Sequence, residues 1–287
     1  MERIYKPCII VAEVGGNHQG DFDIAIELIK SAKLCGAHYV KFQKRNPIKA
    51  IPKKWHNKPH PYPANAFGET YLQHREALEF TIEQHKELKE YCKEVGIGYS
   101  SSVWDEDSAR EIISLDPDYI KVPSAMNSNY KLLDILFREY NKDVHISLGM
   151  QLDSEFKELL KYIEDKKERV VFYWTVSDYP VKFEELYLLE IEALFDFVDR
   201  VGYSGHHLGI AADLVAYTLQ ASWIERHFTL DRTWRGSDMA ASLEPIGLQK
   251  LCRDLKAIYK ALKYRKTEMT EGEKKNRNKL KIITKSS

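Results

Sequence analysis

The amino-acid sequence predicts a (β/α)8 barrel, and three observations lead there. Eight short apolar runs alternate with segments of helical apolar spacing along the 287 residues, the pattern that builds a parallel sheet from successive strand–helix units. Most of the runs break abruptly into polar or ionisable residues, as barrel strands do at the rim that carries the chemistry. A barrel of the usual size, roughly 250 residues, closes near residue 262 and leaves 263–287 as a charged, solvated tail.

The first strand, 7–13, is apolar until it reaches Glu13. Gly15, Gly16, Asn17, His18 and Gly20 read as a loop and Asp21 as an N-cap. Ile24, Leu28 and Ala32, with Ala25 and Ile29, mark the buried stripe of a helix stopped by Gly36. The second strand, 38–43, carries Lys41 and Gln43. Residues 44–80 break the rhythm with Pro, His, Asn and Trp; so long a stretch is expected to cover the site or to pack on the rim. Thr81 and Gln84 form a capping box for a helix ending at Gly96. The third strand, 97–101, ends among Ser100, Ser101 and Ser102, and Asp105 caps the next helix. The fourth, 119–124, carries Lys121 and Ser124 and leads to a helix over 130–140. The fifth, 144–149, contains Ser147, after which Asp153 or Ser154 caps a helix using Phe156, Leu159, Leu160 and Ile163. The sixth, 170–174, precedes Thr175, Ser177 and Tyr179, and a helix is expected over 184–195. The seventh, 198–202, leads to Ser204 and His206, the eighth, 222–226, to His227, with a helix over 208–219 between them. Pro245 opens the last helix, which buries Leu248, Leu251, Leu255, Ile258 and Leu262.

Composition narrows the function. Hydrophobic residues make up 44%, enough for a sizeable core, and the formal net charge of zero argues against nucleic acid as a partner. The early apolar run 8–14 is too short for a signal peptide or a membrane span and contains Glu13. Cys8, Cys35, Cys92 and Cys252 form no CxxC pairs, so they read as reduced, buried thiols of a cytoplasmic protein.

If the strand ends meet at one rim, the chemistry gathers there. His206 and His227 close neighbouring parallel strands, and two neutral imidazoles so placed can hold a divalent metal; the alternative is two ordinary polar residues leaving a sheet. Lys41 and Lys121 each end an apolar strand, and with the serines around them they suit a phosphate and a carboxylate. A Schiff-base lysine is a competing use, but it leaves the second lysine and the histidine pair without a purpose. A metal beside an anion pocket suits carbonyl polarisation. Glu225 and Asp238 would accept from sugar hydroxyls or move protons. The alternative for Glu225 is a local ion pair with Arg226.

These residues closely resemble the sialic acid synthase family. The resemblance is carried by Ala12-Glu-Val-Gly-Gly-Asn-His18, Val40-Lys-Phe-Gln43, Phe67-Gly-Glu-Thr-Tyr71, Gly202-Tyr-Ser-Gly-His206, Glu225-Arg-His227, Leu230-Asp-Arg-Thr-Trp-Arg-Gly-Ser-Asp238 and Ala241-Ser-Leu-Glu-Pro245, in order, over residues 8–262. It implies condensation of phosphoenolpyruvate with an N-acylated hexosamine or its 6-phosphate. It also implies phosphoenolpyruvate-binding positions at Lys41, Lys121, Ser124, Ser147 and Ser204, with Ser102 and Ser177 beside them. His206 and His227 match the ligands of a divalent metal, manganese or magnesium, and Glu13 matches an active-site carboxylate. Gln43, Tyr179, Glu225 and Asp238 match positions that contact the amino sugar.

The chain departs from the family pattern in places. Met126 stands where an acid is usual, Ser102 at a frequent threonine, Ser177 at a position that can be asparagine, and Met239 at a frequent histidine. These changes bear on the sugar more than on phosphoenolpyruvate. The family is expected to form homodimers and to continue into a small antifreeze-like domain that gives an arginine to the partner's sugar site. This sequence stops where that domain would begin, so a separate chain supplying it is one expectation. A related synthase using a different aldose, of the octulosonate type, and a non-catalytic sugar- or partner-binding barrel are the alternative readings.

Overall fold

The computed structural model describes residues 4–282. Eight strands close into a barrel in sequence order: β1 Ile9–Gly15, β2 Tyr39–Lys44, β3 Gly98–Val103, β4 Tyr119–Val122, β5 Asp143–Ser147, β6 Val170–Trp174, β7 Val201–Gly205 and β8 Trp223–His227. Every neighbouring pair is parallel, β1 with β8 included. The helices that wrap this sheet are α1 Phe22–Cys35, α4 Ile82–Val95, α5 Glu106–Ser114, α6 Tyr130–Glu139, α7 Asp153–Tyr162, α9 Ala211–Thr218 and α10 Pro245–Ala261; shorter turns α2 Pro47–Ala50, α3 Tyr71–Glu76 and α8 Glu190–Ala193 lie between them. Their apolar stripes, such as Ala25, Leu28, Ile29 and Ala32 of α1, pack on the outward-facing Val40, Phe42, Ile120 and Val122 to form the main core.

Inside the barrel the period of two sets what each strand presents. Tyr39, Tyr119 and Trp223 project inward and touch one another, with ring centroids 5.2–5.7 Å apart, and His145 stacks on Tyr119 at 3.9 Å. Space for these rings is made by glycine: a Cβ at Gly98 would lie 2.3 Å from Tyr39 Cδ1, and one at Gly202 2.7 Å from Tyr173 Cε1. Two residues further along the same strands stand Lys41, Lys121 and Glu225. An aromatic floor therefore supports the ionisable layer, and the strand ends above it form the rim.

Three expectations need correction. The helix expected over 184–195 is broken into short turns, Phe183–Glu185, α8 and Leu194–Asp196, because Tyr187 takes a left-handed backbone, φ 46°, that interrupts the helical ladder. The seventh strand begins at Val201 rather than at 198. Neither Asp153 nor Ser154 caps α7: both lie within its first turn, and Glu155 reaches back to the backbone N–H of Leu152 at 2.8 Å. In the tail, expected to be charged and solvated, Thr270 and Glu273 form a capping box that starts a ten-residue helix, α11 Glu271–Leu280, with no buried residue. Residues 1–3 and 283–287 of the expected barrel and tail lie outside the described residues. Among those described, no helix is long and apolar enough to cross a membrane.

Candidate active site

All fourteen side chains singled out at the rim line one cavity of about 220 Å³. Register explains their meeting: Glu13 pairs in the sheet with Lys41 on one side and His227 on the other, Gln43 with Ser102, and Ser204 with Glu225. Strands remote in sequence thus present their polar residues at the same height.

Glu225 is the centre of the charged half. Its Oε1 accepts from Lys121 Nζ at 2.7 Å and from Ser204 Oγ at 3.1 Å, with Lys41 Nζ 3.7 Å away. Lys41 also pairs with Glu13 and donates to Ser102 Oγ at 2.7 Å. Gln43 Nε2 donates to Glu13 Oε1 at 3.0 Å. Lys41, Lys121, Glu13 and Glu225 are each no more than 3% exposed, so the ions are desolvated and depend on one another. Burial alone would raise the Glu225 carboxyl, but the two lysines outweigh it and hold it at about 2. Burial lowers Lys121, and Lys41 adds to that, against the pull of Glu225. The site can therefore exchange one anionic partner for another around fixed ammonium groups.

Hydroxyls form a second wall. Asn127 Nδ2 donates to the carbonyls of Ser147 and Gly149 at 3.0 and 3.1 Å, which fixes the turn leaving β5. A Cβ at Gly149 would lie 2.4 Å from Ser177 Oγ and 2.7 Å from Ser124 Oγ, so glycine is what lets these two hydroxyls converge. Ser177 Oγ is buried and has no hydrogen-bond partner.

The imidazoles stand opposite. His206 and His227 have ring centroids 5.4 Å apart, and the Tyr179 ring lies 4.1 Å from the first and 5.8 Å from the second. His206 Nδ1 faces the Val176 carbonyl at 2.8 Å, an acceptor only, so Nδ1 carries the proton and Nε2 keeps its lone pair. Burial, reinforced by His227, lowers His206 to about 3 and keeps it neutral. His227 Nδ1 is buried without a hydrogen bond, 3.8 Å from Asp238 Oδ2. Among the described residues no group of three or more His, Cys, Asp or Glu is arranged to hold a metal. The donors present are the free Nε2 of His206 and the buried, unpartnered Nδ1 of His227, a set that fits an open catalytic site completed by water or substrate better than a closed structural one.

Arg226 is not the partner of Glu225. Neighbouring residues of a strand face opposite ways, and Arg226 points outward to Asp213 at 2.6 Å and to the carbonyls of Gly209 and His207, both at 2.6 Å. This buried contact ties the chain leaving β7 to β8, and so fixes the two strand ends that carry His206 and His227. Sequence reasoning missed Arg45, Arg75, Trp104 and Met150, which also line the cavity. Arg45 continues the inward alternation of Lys41 and Gln43 and was readable on that ground. Arg75 comes from the irregular segment 44–80, whose path has no sequence period.

The NeuB family model matches residues 28–267. The chain is 37% identical to the N-acetylneuraminate-9-phosphate synthase of Mus musculus over 259 residues, 89% of this chain and 71% of that protein. It is 34% identical to the N,N'-diacetyllegionaminic acid synthase of Campylobacter jejuni, over 98% of this chain and 84% of that one. Among solved structures, the N-acetylneuraminic acid synthetase of Leptospira borgpetersenii superposes with a TM-score of 0.80 at 28% identity, covering 96% of this chain and 93% of its own. With its barrel and its sequence in agreement, the chain belongs to the NeuB family.

Proposed function

We propose that this chain condenses phosphoenolpyruvate with an N-acylated amino sugar to give a nonulosonic, sialic-acid-type 2-keto-3-deoxy acid and inorganic phosphate. The observation that supports this most is the paired arrangement of Lys41 and Lys121 around Glu225 in the same cavity as His206 and His227. C3 of the enol forms a bond to the aldehyde carbon of the open-chain sugar, and the aldehyde oxygen gains a proton. Water adds its oxygen to C2, and the C2–O bond to phosphate then breaks. Lys41 and Lys121 hold the anionic groups of phosphoenolpyruvate, with Ser102, Ser124, Ser147, Ser177 and Ser204 giving directional hydrogen bonds. Glu13 and Glu225, already beside the lysines, are the carboxylates placed to take the proton of the incoming water. Gln43, Tyr179 and Asp238 orient the sugar. His206 and His227 would hold a divalent metal, manganese or magnesium, which when bound supplies polarisation of the aldehyde oxygen.

The test is to incubate the protein with Mn2+, phosphoenolpyruvate and a panel of aldoses that includes N-acetylmannosamine and its 6-phosphate. Phosphate release that depends on an amino sugar, with a 2-keto acid product, supports the proposal. Release with a pentose alone would move the chain to the octulosonate-type reading, and none with any aldose would favour a binding protein. A homodimer belongs to the same proposal and is read by sedimentation.

A further inference from the structure

The two lysines at the centre of the cavity are not held alike. Lys41 pairs with Glu13, donates to Ser102 Oγ at 2.7 Å and lies 3.7 Å from Glu225. Among the described residues Lys121 has one ionic partner, Glu225 Oε1 at 2.7 Å, and donates to no other group. That oxygen is already shared with Lys41 and with the Ser204 hydroxyl. Lys121 is buried, so water does not make up the difference. Its other close neighbour is an aromatic face: the ammonium sits 4.1 Å from the centroid of the Tyr173 ring. Such a face is electrostatically negative and attracts a cation, most strongly where water is excluded.

Three neighbouring strands fix that ring. Tyr173 of β6 lies in register between Ser147 of β5 and Gly202 of β7. A Cβ at Gly202 would fall 2.7–2.9 Å from three of the ring atoms, so glycine is what leaves room for the ring. The Tyr173 hydroxyl is 3.3 Å from Nδ1 of His145, which is itself the register partner of Lys121. The ring is fully buried, and burial pushes its phenol well above the usual range, so it stays neutral. The consequence comes when an anionic substrate arrives. Substrate and Glu225 compete for the same ammonium, and Glu225 must yield part of its hold. The ring face has no affinity for the incoming anion, so it keeps Lys121 in place through that exchange.

We infer that Tyr173 is a positioning residue for phosphoenolpyruvate: its ring face holds the Lys121 ammonium at the cavity while Glu225 yields to the anionic group of the substrate. This rests on the condensation proposed above, in which Lys121 takes an anion of phosphoenolpyruvate. The experiment is isothermal titration of phosphoenolpyruvate into the Mn2+-loaded protein, with steady-state KM and kcat measured beside it, for wild type and three variants. Tyr173→Leu removes the ring. Tyr173→Phe keeps the ring and loses only the hydroxyl. Tyr173→pentafluorophenylalanine keeps the ring shape and reverses the charge of its face. Tyr173→Leu and Tyr173→pentafluorophenylalanine should bind phosphoenolpyruvate about 10- to 30-fold more weakly, the size of a desolvated cation–π contact. The loss should appear in the KM for phosphoenolpyruvate and not in kcat or the KM for the aldose, and Tyr173→Phe should bind like wild type. Equal affinity in the fluorinated and Tyr173→Phe variants overturns the inference, because shape alone then suffices. So does a Tyr173→Phe variant as weak as Tyr173→Leu, because the hydroxyl on His145 then matters, or a loss confined to kcat. None of these three results touches the condensation. If Tyr173→Leu fails to fold, the other two variants decide, since they differ in the charge of the ring face. If no aldose reacts, the condensation falls and the titrations still decide for Tyr173; if wild type does not bind phosphoenolpyruvate at all, both fall.

Discussion

Glu225 carries more of the site than any other single residue, because one carboxylate oxygen faces two ammonium groups and a hydroxyl. In Glu225→Gln the lysines lose their shared counter-charge and the site loses a proton acceptor. The expected outcome is a fall in kcat/KM of about 10²-fold or more, on the scale of a positioned acid–base group. Steady-state phosphate release measures it, and near-wild-type turnover would remove Glu225 from the chemistry. Single residues of this kind were legible in the sequence because each ends an apolar run, where a buried charge needs a reason. Arg75 was not, since nothing in an irregular segment reports where a long side chain comes to rest.

At the scale of elements, the loops after β5 and β7 determine whether the residues meet. Gly149→Ala places a methyl against Ser124 and Ser177. It should raise the KM for phosphoenolpyruvate by about 10-fold, the cost of about one hydrogen bond to a charged group, with the circular dichroism of the barrel retained; an unchanged KM would mean those hydroxyls do not touch the substrate. Arg226→Met strands the fully buried Asp213, and urea unfolding should show a loss of about 3–5 kcal/mol. The sequence suggested Arg226 as a neighbour for Glu225, yet strand alternation, applied residue by residue, already separates the two. The break in the 184–195 helix was less accessible, because Tyr187 adopts a left-handed backbone with no Gly or Asn to announce it.

For the whole molecule, the eight-fold alternation of strand and helix was readable because short apolar runs alternate with segments of 3.6-residue apolar spacing. Stability should carry a pH signature of the packing. Burial lowers His18 and His85 to about 3, whereas the unfolded chain takes up those protons near pH 6.5. The unfolded state thus binds more protons between the two values, so stability is lost as pH falls from about 6.5, by about 1.4 kcal/mol per pH unit for each histidine. Thermal melts from pH 7 to pH 5 check this, and a flat profile would contradict it. The central proposal is that the lysine side and the histidine side serve one reaction centre. Its most direct test is the phosphorus NMR relaxation of phosphoenolpyruvate bound to the Mn2+-loaded protein. Strong paramagnetic broadening, lost in the His206→Ala, His227→Ala double variant, is the result predicted. Phosphoenolpyruvate that binds with no broadening, or with broadening the double variant retains, would place metal and anion in separate sites.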